Sequence, residues 1–217
     1  MNEGEWLPIY REVLSDMGYS ESADAEAGRL LDSLARHLDV CDESEARGRF
    51  GPHVVVVGRA WSPVEGLPEG IPVVSAGGAT GRLVGAGVIP DVVVTDLDGC
   101  VGAQVEASSK GALTFIHAHG DNMGLIGELA PSFKGKVILT VQGEPHGALR
   151  NYGGFTDGDR AVCIAEHFGA ARVTLAGFDF DNPIPDTPSK LRKLAWARKI
   201  IGMRADAGLA IDVKSGL

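Results

Sequence analysis

The sequence has no basic excess to offer a polyanion. Its 29 acidic side chains outnumber 20 lysines and arginines, for a net charge of −9, and it contains no basic run. Nucleic-acid-binding domains carry a basic face, so this balance argues against nucleic acid. It does not argue against a nucleotide, whose charge a metal ion or a few local cations can neutralise. Cysteine is sparse. Cys41, Cys100 and Cys163 are widely spaced, odd in number and form no CxxC pair. That fits a reducing cytosol and argues against a structural zinc site. Each cysteine reads as a small core side chain rather than a nucleophile. No apolar run approaches the roughly 20 residues of a membrane span. The opening Met1-Asn2-Glu3-Gly4-Glu5 lacks the basic and apolar regions of a signal peptide. A cytoplasmic protein with no membrane partner is expected. Internal repeats and low-complexity segments are also missing.

What is present is a chain of 217 residues, 44% hydrophobic, enough for one well-buried core. Residues 5–48 read as helical and amphipathic, with Leu30, Leu31, Leu34 and Leu38 at helical spacing. Ser20 or Ser22 stands where a cap is needed. Asp24, Glu26 and Asp32 mark the polar side. Residues 1–50 are therefore expected to form a helical N-terminal extension with a packing role.

After Phe50-Gly51-Pro52 the texture changes. Apolar runs at Val54–Val57, Ile71–Val74, Val92–Val94, Leu113–Ile116, Val137–Val141 and Val173–Leu175 alternate with helix-like stretches near 77–87, 101–110, 122–130, 157–169 and 188–206. The runs are rich in β-branched residues and do not alternate with polar ones. Strands buried on both faces of a parallel sheet read this way. The expected fold class is α/β: residues 51–217 form a doubly wound, mostly parallel sheet flanked by helices. Right-handed crossovers place the C-terminal strand ends on one edge, where ligands collect.

The loops after those runs carry the chemistry. Asp96 and Asp98 form a D-x-D pair at a strand end, and Asp121 follows the next strand. Together they suit Mg²⁺, which takes oxygen ligands and leaves positions for phosphate and water. A turn plus a helix cap accounts for the D-x-D pair as well. His117 and His119 stand two apart, so in an extended strand both point to one face. His119 reads as a phosphate or substrate contact and His117 as a core histidine. Gly77-Gly78 permit close backbone approach ahead of a helix N-terminus, which favours an anion, although a plain turn fits equally. Asn151 to Arg160, which includes Phe155, Asp157 and Asp159, packs an aromatic ring among hydrogen-bonding groups and suits a flat heterocycle. Thr156 or Asp157 is placed to cap the next helix. Lys190, Arg192, Lys193, Arg198 and Lys199 share one predicted helix. Most of them form a solvated face, and those at its start can reach phosphate.

In this order, the segments resemble the thiamine pyrophosphokinase catalytic fold, which carries an A-D-G-G-A-N-like turn, G-D-x-D-S after a strand, D-x-T-D, and G-G-R-x-D-H. Here Ala76 to Thr80, Thr95 to Gly99, His119 to Asn122 and Gly153 to Asp157 stand in those places. The second motif lacks one acid, and the last lacks its Arg and His. The chain is more similar still to the archaeal 6-hydroxymethyl-7,8-dihydropterin diphosphokinases, with H-A-H-G-D-N at His117–Asn122 and G-G-x-x-D-G-D-R-A at Gly153–Ala161. The resemblance covers about residues 51–205.

The resemblance implies transfer of a diphosphate from ATP to the hydroxymethyl oxygen of a reduced pterin, releasing AMP. It implies Mg²⁺ on Asp96, Asp98 and Asp121. It implies phosphate or nucleotide contacts at Gly77, Gly78, His119, Asn122 and Lys190, and pterin contacts at Asn151, Phe155, Asp157, Asp159 and Arg160. The expected partners are ATP and a reduced pterin, and a homodimer is compatible with the sequence. Thiamine diphosphokinases add a β-rich C-terminal domain for which no room is expected here. Nucleotide-sugar-handling accessory proteins of flagellin glycosylation share the superfamily. They carry a G-x-G-P-S-L loop where this chain has Gly58-Arg59-Ala60-Trp61-Ser62-Pro63, so the role of that loop stays open.

Overall fold

A computed structural model describes residues 1–182 and 187–214. Its strands are β1 (Asp39–Val40), β2 (His53–Val57), β3 (Val73–Ala76), β4 (Val92–Thr95), β5 (Leu113–Ala118), β6 (Lys136–Val141), β7 (Leu149–Arg150), β8 (Arg172–Ala176) and β9 (Ala210–Lys214). Its helices are α1 (Glu3–Met17), α2 (Glu21–Leu34), α3 (Glu43–Arg47), α4 (Ala79–Gly85), α5 (Val101–Ser109), α6 (Met123–Leu129), α7 (Asp157–His167) and α8 (Pro188–Asp206). All strands join one sheet in the order β1-β6-β5-β4-β3-β2-β8-β9, with β7 also on β6. Every pairing among the described residues is parallel.

The continuous apolar runs do what a two-faced burial requires. Val54 and Val56 pack with Ala161, Val162 and Ile164 of α7. Val55 and Val57 turn to the opposite face and pack with Ala79 and Leu83. On β5, Phe115 shares the α7 side, whereas Ile116 meets Ala27 and Leu31 of α2 and Ile126 of α6. Side chains alternate across a strand, so helices on both faces demand apolar residues at every position. The expected doubly wound α/β sheet is thus observed.

Three strands escape the sequence pattern. β1 lies inside the stretch read as wholly helical, and it pairs Asp39 and Val40 with Lys136 and Val137. β7 places Leu149 and Arg150 beside Leu139 and Thr140. Two-residue strands have no periodicity to detect. β9 is an edge strand with a largely exposed pattern, and its Ile211–Asp212–Val213 alternation is short. β3 starts at Val73 because Pro72, just before it, has no N–H to give a ladder. Cys41 and Cys163 are buried as expected, but Cys100 is exposed. It stands in the turn before α5, outside the core.

Helix starts follow their caps. Ser20, rather than Ser22, accepts from Ala23 N at 3.3 Å. Thr156 caps α7, with Asp159 folding back to the Thr156 N–H at 2.8 Å. α1 buries Trp6, Tyr10 and Val13 with Phe155, Cys163 and Ile200, and the Trp6 indole N–H donates to Gln142 O at 2.7 Å. No described helix is long and apolar enough to cross a membrane.

These contacts make the N-terminal helices part of the core. Urea unfolding followed by fluorescence and by circular dichroism should give one coincident transition. Trp6→Ala should lower its free energy by about 3–5 kcal/mol. A separate early transition for α1 and α2 would instead mark an independent unit.

Candidate active site

The strand order places six loops in a row along the C-terminal edge of the sheet. Gln142 follows β6, His119 β5, Asp96 β4, Gly77 β3, Gly58 β2 and Gly177 β8. All six line one cavity of about 430 Å³. The α1–α2 link closes one side of it, and the first turns of α8, with Lys190 and Lys193, close another.

At its centre the D-x-D pair sits on a strained turn. Leu97 has φ 68, the one non-glycine residue with positive φ among the described residues, and a side chain there is disfavoured. Neighbours impose the turn. Thr95 Oγ1 accepts from Leu97 N at 2.9 Å and donates to Gln104 Oε1 at 2.8 Å. Gln104 Nε2 donates to Asp98 O at 2.9 Å, and Asn122 Nδ2 donates to Asp96 O at 2.7 Å. The buried Leu97 side chain anchors the turn, and its two flanking aspartates line the cavity.

Asp96 Oδ2 lies 3.3 Å from His119 Nε2, whereas Oδ1 is buried with no hydrogen-bond partner. Burial disfavours the Asp96 charge, but His119, by hydrogen bond and by field, and then Arg160 outweigh it and hold the carboxyl below its usual value. Asp98 goes the other way, raised by burial and by the charge on Asp96, with Lys190, Arg59 and Lys193 in partial opposition. Asp157 is raised well above the usual range by burial first and then by Asp96. Three carboxylates therefore repel one another in one place. The third is Asp157, which the sequence pattern had grouped with the pterin contacts. A side chain at Gly77, where φ is 50, would strike the Asp157 carboxylate. That turn therefore requires glycine.

The chain has known relatives. Residues 64–184 match the family described as 6-hydroxymethylpterin diphosphokinase, MptE-like. The chain is 37% identical over 218 residues to a 6-hydroxymethyl-7,8-dihydropterin pyrophosphokinase of Methanothermobacter thermautotrophicus, an alignment spanning 90% of this chain and 92% of that one. For the protein of the same name from Pyrococcus furiosus the identity is 38% over 223 residues, 95% of each chain. For that of Methanocaldococcus jannaschii it is 29% over 235 residues, 95% of this chain and 97% of the relative. The chain belongs to the MptE-like diphosphokinase family. The resemblance carried by the H-A-H-G-D-N and G-G-x-x-D-G-D-R-A segments is borne out, and the chain is a diphosphotransferase.

The expected residues divide into those that line the cavity and those that brace it. Asp96, Asp98, Asp121, Gly77, Gly78, His119, Lys190, Phe155 and Asp157 line it. Asp121 is exposed at the rim, its N–H donating to His119 Nδ1 at 3.3 Å. Asn122 is buried and fully engaged. It accepts from His119 N at 3.0 Å and donates to Asp96 O at 2.7 Å and to His117 O at 2.8 Å. It ties two loops together and does not line the cavity.

Asn151, Asp159 and Arg160 brace in the same way. Asn151 donates to Gln142 O and Gly143 O at 2.8 and 2.7 Å. Asp159 accepts from Phe155 N at 2.6 Å and caps α7. Arg160 donates to Asp157 Oδ1 and Phe155 O, both at 2.9 Å. His117 is a core histidine, with Nδ1 2.9 Å from Thr140 Oγ1. Burial, and then the charges of Arg160 and His119, push its imidazole well below the ordinary histidine range.

Sequence reasoning missed the contribution of the N-terminal extension. Asp24 is buried and accepts from the Tyr10 hydroxyl and Gly120 N, both at 2.8 Å, and from Gln142 Nε2 at 3.4 Å. It anchors the His119 loop from α2. On the polar side of an amphipathic helix it looks like a solvated acid, so no local signal marks it.

The raised carboxyls of Asp98 and Asp157 mean that the folded state holds protons the unfolded chain has already released. Stability therefore falls as pH rises from the ordinary carboxylate range through their folded values. Asp98→Asn removes one repelling charge. Its melting temperature should equal or exceed that of the parent near about pH 7, and the gap should close towards about pH 4. A loss of about 0.5–2 kcal/mol at both pH values would instead make Asp98 a simple capping residue.

Proposed function

We propose that the protein transfers a diphosphate from ATP to the hydroxymethyl oxygen of 6-hydroxymethyl-7,8-dihydropterin, with AMP as the second product. The observation that carries this reading is the acidic centre. Asp96, Asp98 and Asp157 face one cavity together with Lys190 and Arg59, in a chain whose relatives bear the pyrophosphokinase name.

Such a reaction needs positioning and charge neutralisation more than covalent help from the protein. The hydroxymethyl oxygen attacks the β-phosphorus, and the bond to the α-phosphate oxygen breaks in line. Lys190 and Arg59 offset phosphate charge, Lys190 as a point charge. Gly78, just ahead of α4, can bring its backbone N–H close to the anion, whereas the Gly77 N–H donates to Val94 O at 2.8 Å and Gly77 serves the turn. His119, beside Asp96, is placed to contact phosphate.

The donor set suits Mg²⁺. Asp96 Oδ1 is a buried acceptor without a partner, and the neighbouring carboxylates repel until a cation joins them. Among the described residues no three His, Cys, Asp or Glu side chains form a complete metal group. That accords with an ion held by one or two carboxylates plus phosphates and water. Asp96 and Asp98 would hold it, with Asp157 and Asp121 within the same cavity, and when bound it would neutralise charge on the transferring group.

The purified protein with ATP and Mg²⁺ should release AMP with the reduced pterin and not with thiamine. Asp98→Asn should lower that rate by about 10²–10³-fold while the fold persists. Robust AMP release with thiamine alone, or full activity of a folded Asp98→Asn, would overturn the reading.

A further inference from the structure

Two cavity-lining loops contribute no carboxylate to the acidic centre: Gly58–Ala60 after β2, and Gln142 after β6. Strand order sets them on opposite sides of it, because β4 lies between β6 and β2. The cavity therefore has two ends, and their chemistry differs.

At the β6 end, Gln142 is 5% exposed. Its Nε2 faces Asp24 Oδ2 at 3.4 Å, and its Oε1 is buried with no partner. Asp24 sets the sense of the amide, since a flip would press Oε1 against a carboxylate oxygen. The unpaired group is thus an acceptor, and a buried acceptor left unmade is what a donor-bearing ligand relieves. The walls here are flat and apolar. Tyr19 and Phe155 have ring centroids 6.3 Å apart, and Leu194 and Ala197 also line the cavity. Lys193, 5.6 Å from the Tyr19 ring, also acts on Asp98 and marks where this end meets the acidic centre.

At the other end stand Arg59 and the Phe178–Phe180 pair, with centroids 5.7 Å apart. A side chain at Gly58 would strike Gly177 O and the Phe178 ring, so the two loops pack closely and hold that ring in place. Arg59 and Lys190 both act on Asp98. This end therefore supplies the cations a triphosphate needs beside a ring for its base.

A reduced pterin is nearly flat and carries its 2-amino and N3–H donors at the opposite end of the bicycle from its hydroxymethyl group. Donors seated on Gln142 turn the hydroxymethyl oxygen back towards Asp96 and Asp98. We propose that the reduced pterin occupies the β6 end of the cavity with its amino-pyrimidinone edge on Gln142 Oε1, and that the nucleotide enters by the Gly58–Phe178 end. This rests on the diphosphokinase reading above.

Calorimetric titration separates the two. The reduced pterin, and separately a non-hydrolysable ATP analogue with Mg²⁺, are titrated into the parent protein, Gln142→Leu and Phe178→Ala. Gln142→Leu should weaken the pterin about tenfold or more and leave the nucleotide within about twofold. Phe178→Ala should do the reverse. Tyr19→Ala, at a half-buried ring, should repeat the pterin-selective loss and serves if Gln142→Leu does not fold. An unchanged pterin affinity in folded Gln142→Leu, or a pterin-selective loss in Phe178→Ala, overturns the placement alone. A parent protein that binds the nucleotide but no pterin overturns the diphosphokinase reading and the placement with it.

Discussion

Asp96, Asp98 and Asp157 bring like charges into a cavity where water screens them poorly. Left to themselves, such groups move apart or take up protons. Much of the surrounding structure resists the first outcome. Thr95, Gln104 and Asn122 clamp the Asp96–Asp98 turn in a conformation that Leu97 would not choose. Arg160 holds Asp157 from behind through a hydrogen bond of 2.9 Å. The raised carboxyls of Asp98 and Asp157 lean towards the second outcome. On the diphosphokinase reading proposed above, a site that stores repulsion in this way gains most from a cation that joins its carboxylates.

The parallel sheet makes this arrangement possible. Parallel strands with helical crossovers bring all their C-terminal ends to one edge, so loops distant in sequence become neighbours. Helices on both faces bury the central strands β3, β4 and β5 completely, which fixes the strand ends that carry the loops. The motif residues then divide into two groups. Those that line the cavity, such as Asp98, His119 and Gly77, can meet a ligand. Those that do not, such as Asn122 and Asp159, spend their hydrogen-bonding capacity on the loops. A polar side chain whose donors and acceptors are all engaged contributes by holding position.

The N-terminal helices belong to this scheme. Trp6 and Tyr10 are fully buried, and α2 lays Ala27 and Leu31 against β5 and β6. Asp24 binds the Gly120 N–H at 2.8 Å, and a side chain at Gly120 would collide with Ala23. The His119 loop is thus pressed against α2, and the extension forms one wall of the cavity as well as part of the core.

By itself the sequence determined the local features. Unbroken β-branched runs announced strands buried on both faces, and helix α8 at 188–206 was read to the residue. The strand-end loops with Asp96, His119 and Gly77 stood out because strand and loop are neighbours in the chain. The family was legible in four short segments in register. Tertiary structure alone decided the rest. It brought Asp157, more than fifty residues away in sequence, beside Asp96, because the strand order that joins their loops leaves no trace in local periodicity. It buried Asp24, which reads as a solvated acid until α2 docks on the sheet. It separated ligand-facing side chains from bracing ones of the same type, since Asp157 and Asp159 differ only in what the fold sets opposite each.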